Sequence, residues 1–216
     1  MATFALIHGG GGSAWDWHLV VAALRVRGHE AVAVDLPVED ESAGLSEYAD
    51  AVVDAVGGRP EHLIVVAHSW GGFVGPLVCA RVPVERLVLV TAMIPAPGEP
   101  PGDWWDNTGH GHVDISDPVA MFLHDVPREL AEELLGRGRE HADKALREPW
   151  PLDRWPDVPT RFLLCRDDRF FRPEFMRGVV RDRLGITPDE IDGGHAPMLA
   201  RPEELADYLA GLTGTS

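Results

Sequence analysis

The residues best suited to acyl chemistry stand at the ends of short apolar runs. In Leu63-Ile64-Val65-Val66-Ala67-His68-Ser69-Trp70-Gly71-Gly72 a strand-like run delivers Ser69, and a helix-like segment begins at once. A sharp strand-to-helix turn lifts such a hydroxyl clear of the backbone, and the turn demands small neighbours. Ala67 and Gly71 supply them, with Ala67 standing where the G-x-S-x-G pattern has glycine. A serine here can also be a plain helix N-cap, so its partners decide. Phe162-Leu163-Leu164-Cys165-Arg166-Asp167-Asp168 is a second run, ending in acids. Asp192-Gly193-Gly194-His195 then sets a histidine on a glycine-rich loop before the last helical segment. A histidine can take the proton of the serine, and an acid can hold the imidazole in the right tautomer. The chain order Ser69, Asp168, His195 is used by one fold and differs from two other well-known orders for the same chemistry.

A further stretch, His8-Gly9-Gly10-Gly11-Gly12-Ser13-Ala14-Trp15, follows the first apolar run directly. Its four glycines leave backbone N–H groups open to a developing negative charge. A phosphate cradle would need G-x-x-x-x-G-K-[ST], and the lysine is missing. The dinucleotide pattern G-x-G-x-x-G fails at Ala14, although an acid, Asp35, does end the second run. His110 and His112 lack a third metal ligand at recognisable spacing, and Asp103 and Asp106 read as loop solubilisers. No metal and no organic cofactor is expected. Trp70, Trp104, Trp105, Phe122, Phe170 and Phe171 are the candidates to wall an apolar or aromatic substrate pocket. Each of them would serve equally as packing between layers.

These groups need elements to position them. Apolar runs at Phe4–Ile7, Ala31–Val34, Leu63–Ala67, Leu87–Val90 and Phe162–Cys165, with a weaker one at Ile186–Ile191, alternate little with polar residues. That pattern suits strands buried on both faces of a parallel sheet. Helical segments are expected near 16–27, 46–57, 70–81, 173–184 and 202–211, with Pro173 and Pro202 at first-turn positions. The alternation defines an α/β class, a mostly parallel, doubly wound sheet of about six strands. It breaks between Pro95 and Pro159, where a Pro/Gly-rich start, four of the seven tryptophans and one helix over 128–147 are expected. Residues 1–94 and 160–216 thus read as the core, and 95–159 as a short helical cap, or lid, inserted between two strands.

Composition narrows the partners. The formal charge of −16, from 19 basic and 35 acidic residues, would repel a phosphate backbone and an anionic membrane surface. No apolar stretch is long enough for a membrane span, and the N-terminus lacks the features of a signal peptide. Cys79 and Cys165 are too few for a disulfide framework and lie in apolar runs, as inert thiols do. The expectation is a cytoplasmic domain acting on a small molecule, with no nucleic acid or membrane partner. Nothing in the sequence sets its oligomeric state.

With these residues in view, the chain resembles the α/β-hydrolase superfamily. Within it, the chain is most similar to the group of plant methyl-ester hydrolases, hydroxynitrile lyases and small bacterial esterase-like proteins. The resemblance spans nearly everything but the insert, including His8-Gly9 to Trp15-Asp16-Trp17, Gly28-His29, Asp35-Leu36, Cys165 to Asp168, Pro173-Glu174-Phe175 and Gly194-His195 to Pro202. It implies the α/β-hydrolase fold, a Ser69–His195–Asp168 triad and, as oxyanion donors, the N–H groups of Gly10 and Trp70. It also prefers Asp168 over Asp167 and adds Gly9 to the pocket. The insert is shorter than the plant members would have it. Hydroxynitrile lyases of the group carry a lysine after the catalytic histidine and a threonine after the first-loop histidine. Here Ala196 and Gly9 occupy those positions. The reaction implied is hydrolysis of a carboxylic ester or thioester through an acyl-enzyme. A non-hydrolytic reaction with the same triad, or small-molecule binding alone, stands as the alternative, because fold does not fix reaction.

Overall fold

Each apolar run becomes a strand: β1 (Thr3–Ile7), β2 (Glu30–Val34), β3 (Leu63–His68), β4 (Arg86–Val90), β5 (Thr160–Cys165) and β6 (Asp189–Ile191). The structure, a computed structural model, describes residues 1–57, 61–111 and 113–214. The strands form one sheet in the order β2-β1-β3-β4-β5-β6, with every pairing parallel. The sixth run shortens to three residues, since Pro188 immediately before it has no N–H for the ladder.

The runs are apolar throughout because both faces of the sheet are covered. Along β3, Leu63, Val65 and Ala67 join one core cluster, while Ile64 and Val66 join the other. Helices α1 (His18–Val26), α2 (Leu45–Val56) and α3 (Gly75–Cys79) accompany the first strands. The segment between β4 and β5 holds α4 (Trp104–Thr108), α5 (Pro118–Phe122), α6 (Arg128–Gly136) and α7 (Asp143–Arg147). α8 (Pro173–Leu184), α9 (Pro197–Ala200) and α10 (Pro202–Gly211) complete the chain. α2, α3 and α8 pack on the first face, and α1, α9 and α10 on the second. This is the α/β-hydrolase architecture expected, with all strand C-termini on one edge.

Three helical expectations need correction. The helix expected over 128–147 is two, α6 and α7, because the chain between them leaves the helix to bond elsewhere. Arg139 N–H donates to Gly11 O of the loop after β1, and Ala142 N–H to Val38 O. The segment expected from residue 70 starts as a 3-10 turn, Ser69–Phe73, before α3. Likewise the helix expected from residue 16 begins with a 3-10 turn, Ala14–Trp17. The 95–159 segment carries no strand among its described residues and is fastened to the core by buried groups. Trp104 Nε1–H donates to Ile94 O and Trp150 Nε1–H to Phe73 O, each at 3.0 Å. Glu99, 5% exposed, pairs with Arg183 of α8.

Candidate active site

Ser69 closes β3 with φ = 50°, a left-handed conformation unusual for a residue with a side chain. Such strain persists only where surrounding structure enforces it, and it often marks function. The enforcement is visible in two glycines. A Cβ on Gly71 would approach His8 O to 2.7 Å, and one on Gly72 would collide with Met93 O. Met93 N–H also donates to Ser69 O, pinning the turn to the end of β4.

Ser69 Oγ lies 3.0 Å from His195 Nε2, and His195 Nδ1 lies 2.8 Å from Asp168 Oδ2. Because the carboxylate can only accept, Nδ1–H donates to Asp168 and Nε2 is left to accept the hydroxyl proton. Asp168 Oδ1 accepts the N–H groups of Phe170 and Phe171, each at 2.9 Å, and Oδ2 also accepts Thr91 Oγ1–H at 2.5 Å. Burial alone would raise the pKa of Asp168, but its interaction with the neighbouring His195 and these bonds hold it below the usual carboxylate value. Asp167 turns away: its Oδ2 accepts Gly193 N–H and its own N–H bonds to Gly193 O. It braces the histidine loop, and Asp168 alone of the two acids meets the imidazole.

Ser69 and His195 open onto a cavity of about 320 Å³ bordered by Gly9, Gly10, Trp70, Trp105, Phe122 and Phe170 among others. Gly9 must be glycine, since a Cβ there would lie 2.9 Å from His68 Nδ1 and 3.0 Å from Ser69 Cβ. Gly10 and Trp70 both border the cavity and lie close together, a Cβ built on Gly10 coming 3.7 Å from Trp70 Cβ. Two expected pocket residues do not reach the cavity. Trp104 and Phe171 are fully buried, their tilted rings 5.5 Å apart, and it is Trp105 and Phe170 that border the cavity. The bond from Trp104 to Ile94 O, and the N–H bond from Phe171 to Asp168, account for both. His110 joins this aromatic cluster, with Nε2–H donating to Phe170 O at 2.9 Å. His112 lies outside the described residues. Among those described, no group of three or more His, Cys, Asp or Glu residues is placed to hold a metal ion. Both cysteines are free thiols, and burial pushes Cys79 up to about 12 and Cys165 well above its ordinary value.

Several site residues escaped the sequence reading. The His68 ring packs against that of His195, centroids 4.9 Å apart and planes tilted by 55°, and its Nε2–H donates to the His195 carbonyl at 2.8 Å, joining the serine turn to the histidine loop. Burial lowers its pKa to about 3, so it stays neutral. Thr91, the residue after β4, has φ = 38° and reaches Asp168. Asp16, on the 3-10 turn after the glycine loop, borders the cavity, as do Leu123, Leu134 and Leu135 of the inserted segment. A polar residue closing an apolar run was the available signal for Thr91. The leucines gave none.

An all-parallel sheet with a serine turn after a central strand, and an acid and a histidine on later loops of the same edge, defines one structural class. The chain belongs to the alpha/beta hydrolase family, whose model matches residues 4–208. It is 28% identical to Methylesterase 7 of Arabidopsis thaliana, over 95% of this chain and 94% of that protein. It is 23% identical to Norfluorocurarine synthase 1 of Strychnos sp, over 95% and 93%. The solved structure of polyneuridine aldehyde esterase superposes with a TM-score of 0.85 at 20% identity, covering 99% of each chain. No described helix is long and apolar enough to cross a membrane.

Proposed function

We propose that this protein is a serine esterase that cleaves a small carboxylic ester or thioester with an apolar or aromatic part. The observation that carries this reading is the chain of hydrogen bonds from Ser69 Oγ through His195 to buried Asp168, opening on an apolar cavity. His195 removes the proton as Ser69 attacks the carbonyl, and Asp168 stabilises the imidazolium. The N–H groups of Gly10 and Trp70 receive the oxyanion, each such donor supplying roughly 3–4 kcal/mol to the transition state. The protonated His195 then gives its proton to the departing alcohol or thiol. Water, activated by the same imidazole, releases the acid. Residues 95–159 act as a cap over the site, contributing Trp105, Phe122 and the leucines to its wall. The sole lysine, Lys144, is engaged with Ser42 O and Glu47. A lyase stabilising a departing anion beside the histidine would need that charge at the site.

Ser69→Ala should abolish turnover of p-nitrophenyl butyrate and labelling by a fluorophosphonate probe. Retention of either removes the nucleophile from this account. The relative named as a synthase supports a second reading, in which the same triad moves protons in a non-hydrolytic step. A panel in which Ser69 is labelled yet no ester or thioester is cleaved would favour it.

A further inference from the structure

We propose that Asp16 is a recognition group of the cavity, and that the ester cleaved there carries a hydrogen-bond donor, a hydroxyl or an ammonium. The inference rests on the esterase reading above and names its substrate class. Among the described residues that border the cavity, Asp16 is the only carboxyl group, and none is an arginine or lysine. Apart from His68, Ser69 and His195, the remaining wall is glycine backbone and apolar side chains.

Part of what Asp16 does is local. It stands third in the 3-10 turn Ala14–Trp17, and its Oδ1 accepts Ser13 N–H in a capping box, at a long 3.3 Å. A cap of this kind works at the surface and requires no burial. Asp16 is nevertheless only 9% exposed, and burial raises its carboxyl to about 6. A carboxylate kept in such a wall is unfavourable unless something compensates its charge. The loop is also shaped to admit it. A Cβ on Gly12 would collide with Asp16 Oδ2, and Gly12 is not among the glycines of positive φ. Glycine there makes room chiefly for the carboxyl, the next backbone contact of such a Cβ being Gly9 O at 3.3 Å, and not for a positive φ. The bonds the protein gives this carboxyl, from Ser13 and from Asp16 N–H, leave it raised, and no arginine or lysine borders the cavity among the described residues. A ligand donor adds the missing compensation, and an anionic ligand is repelled.

The test compares methyl 3-arylpropanoates bearing a methyl, hydroxyl, aminomethyl or carboxylate group at the meta or para ring position. Rates are taken at pH 8, where Asp16 is ionised, and scaled to active sites titrated with a fluorophosphonate. At one ring position the hydroxyl and aminomethyl esters should exceed the methyl ester in kcat/KM by about tenfold or more, as a bond to a charged group allows. The carboxylate ester should be slowest. Asp16→Asn keeps an acceptor for Ser13 N–H and should lower the aminomethyl advantage by about fivefold or more. Parity of the methyl, hydroxyl and aminomethyl esters in the unaltered protein overturns the inference, whether or not the variant folds, and leaves the esterase reading standing. An advantage that survives undiminished in Asp16→Asn also overturns it, leaving Asp16 a cap alone. Absence of both cleavage and labelling at Ser69 is the failure of the esterase reading itself.

Discussion

Thr91 and Ser69 are the only described residues other than glycine with positive φ, and both end neighbouring strands. For a β-branched residue this conformation is the harder to hold. Thr91 is kept in it by its own N–H bonding to Leu163 O of β5, while its hydroxyl shares Asp168 Oδ2 with His195. Thr91 therefore acts as a positioning residue, fixing the carboxylate that fixes the imidazole. Thr91→Val preserves shape and removes the donor. It should lower kcat by about tenfold, the size of one hydrogen bond to a charged group. KM should hold, since Thr91 does not border the cavity. Thr91→Ser should recover most of the rate, and steady-state kinetics on p-nitrophenyl butyrate reads both. A loss confined to KM, or no recovery in the serine variant, would show that Thr91 is merely packed there. Ser69, Asp168 and His195 could be read from sequence because their types announce proton chemistry and their order is restrictive. Thr91 offered only a polar residue closing an apolar run, because its role arises only when β4 and β5 lie side by side.

At the scale of elements, the strands were legible because a sheet covered on both faces leaves an uninterrupted apolar signature. The inserted segment was less so. One helix was expected over 128–147, but Gly11 O and Val38 O draw the backbone out between α6 and α7. What fastens the segment is polar and long-range, which no local pattern reveals. Glu99 accepts from Arg183 Nη1 and Nη2 at 2.5 and 2.7 Å, from Asn107 Nδ2 and from Ala96 N–H. Arg183 Nη1–H also reaches Ile94 O at 2.5 Å. Burial works against the charge of Glu99, yet these donors hold its pKa below the usual value. Glu99→Ala strands a largely covered guanidinium and should lower unfolding free energy by about 3 kcal/mol. Replacing both partners with leucine should lower it by less. Urea unfolding followed by tryptophan fluorescence measures both, and an equal or greater loss in the double variant would deny the pair its role.

The whole molecule carries a charge of −16, so self-repulsion alone predicts that mild acid, by neutralising carboxylates, should stabilise it. Its buried histidines predict the reverse. His8 donates Nδ1–H to Gly9 O and accepts Leu36 N–H at Nε2, an arrangement only the neutral ring can make, and burial lowers its pKa to about 4. His68 is lowered to about 3 and His141 to about 4, again chiefly by burial. His141, packed 4.7 Å from Trp70, has both ring nitrogens without a hydrogen-bond partner among the described residues. Below the ordinary histidine pKa the unfolded chain binds these protons and the folded chain refuses them, so stability falls with pH from about 6.5 toward 4. Asp16 opposes one of the three. Raised to about 6, it takes a proton in the folded state before the unfolded one, a gain as pH falls through its folded pKa. The two most enclosed histidines set the balance, and half-buried His141 adds less. Between pH 6 and 5 the net slope should be about 1.5–3 kcal/mol per pH unit, each uncompensated proton giving about 1.4. Unfolding free energy from urea titrations at pH 7.5, 6.0 and 5.0, at constant ionic strength, should therefore fall stepwise. A rise across that series would mean that the surface charge, and not the buried rings, governs how this protein meets acid.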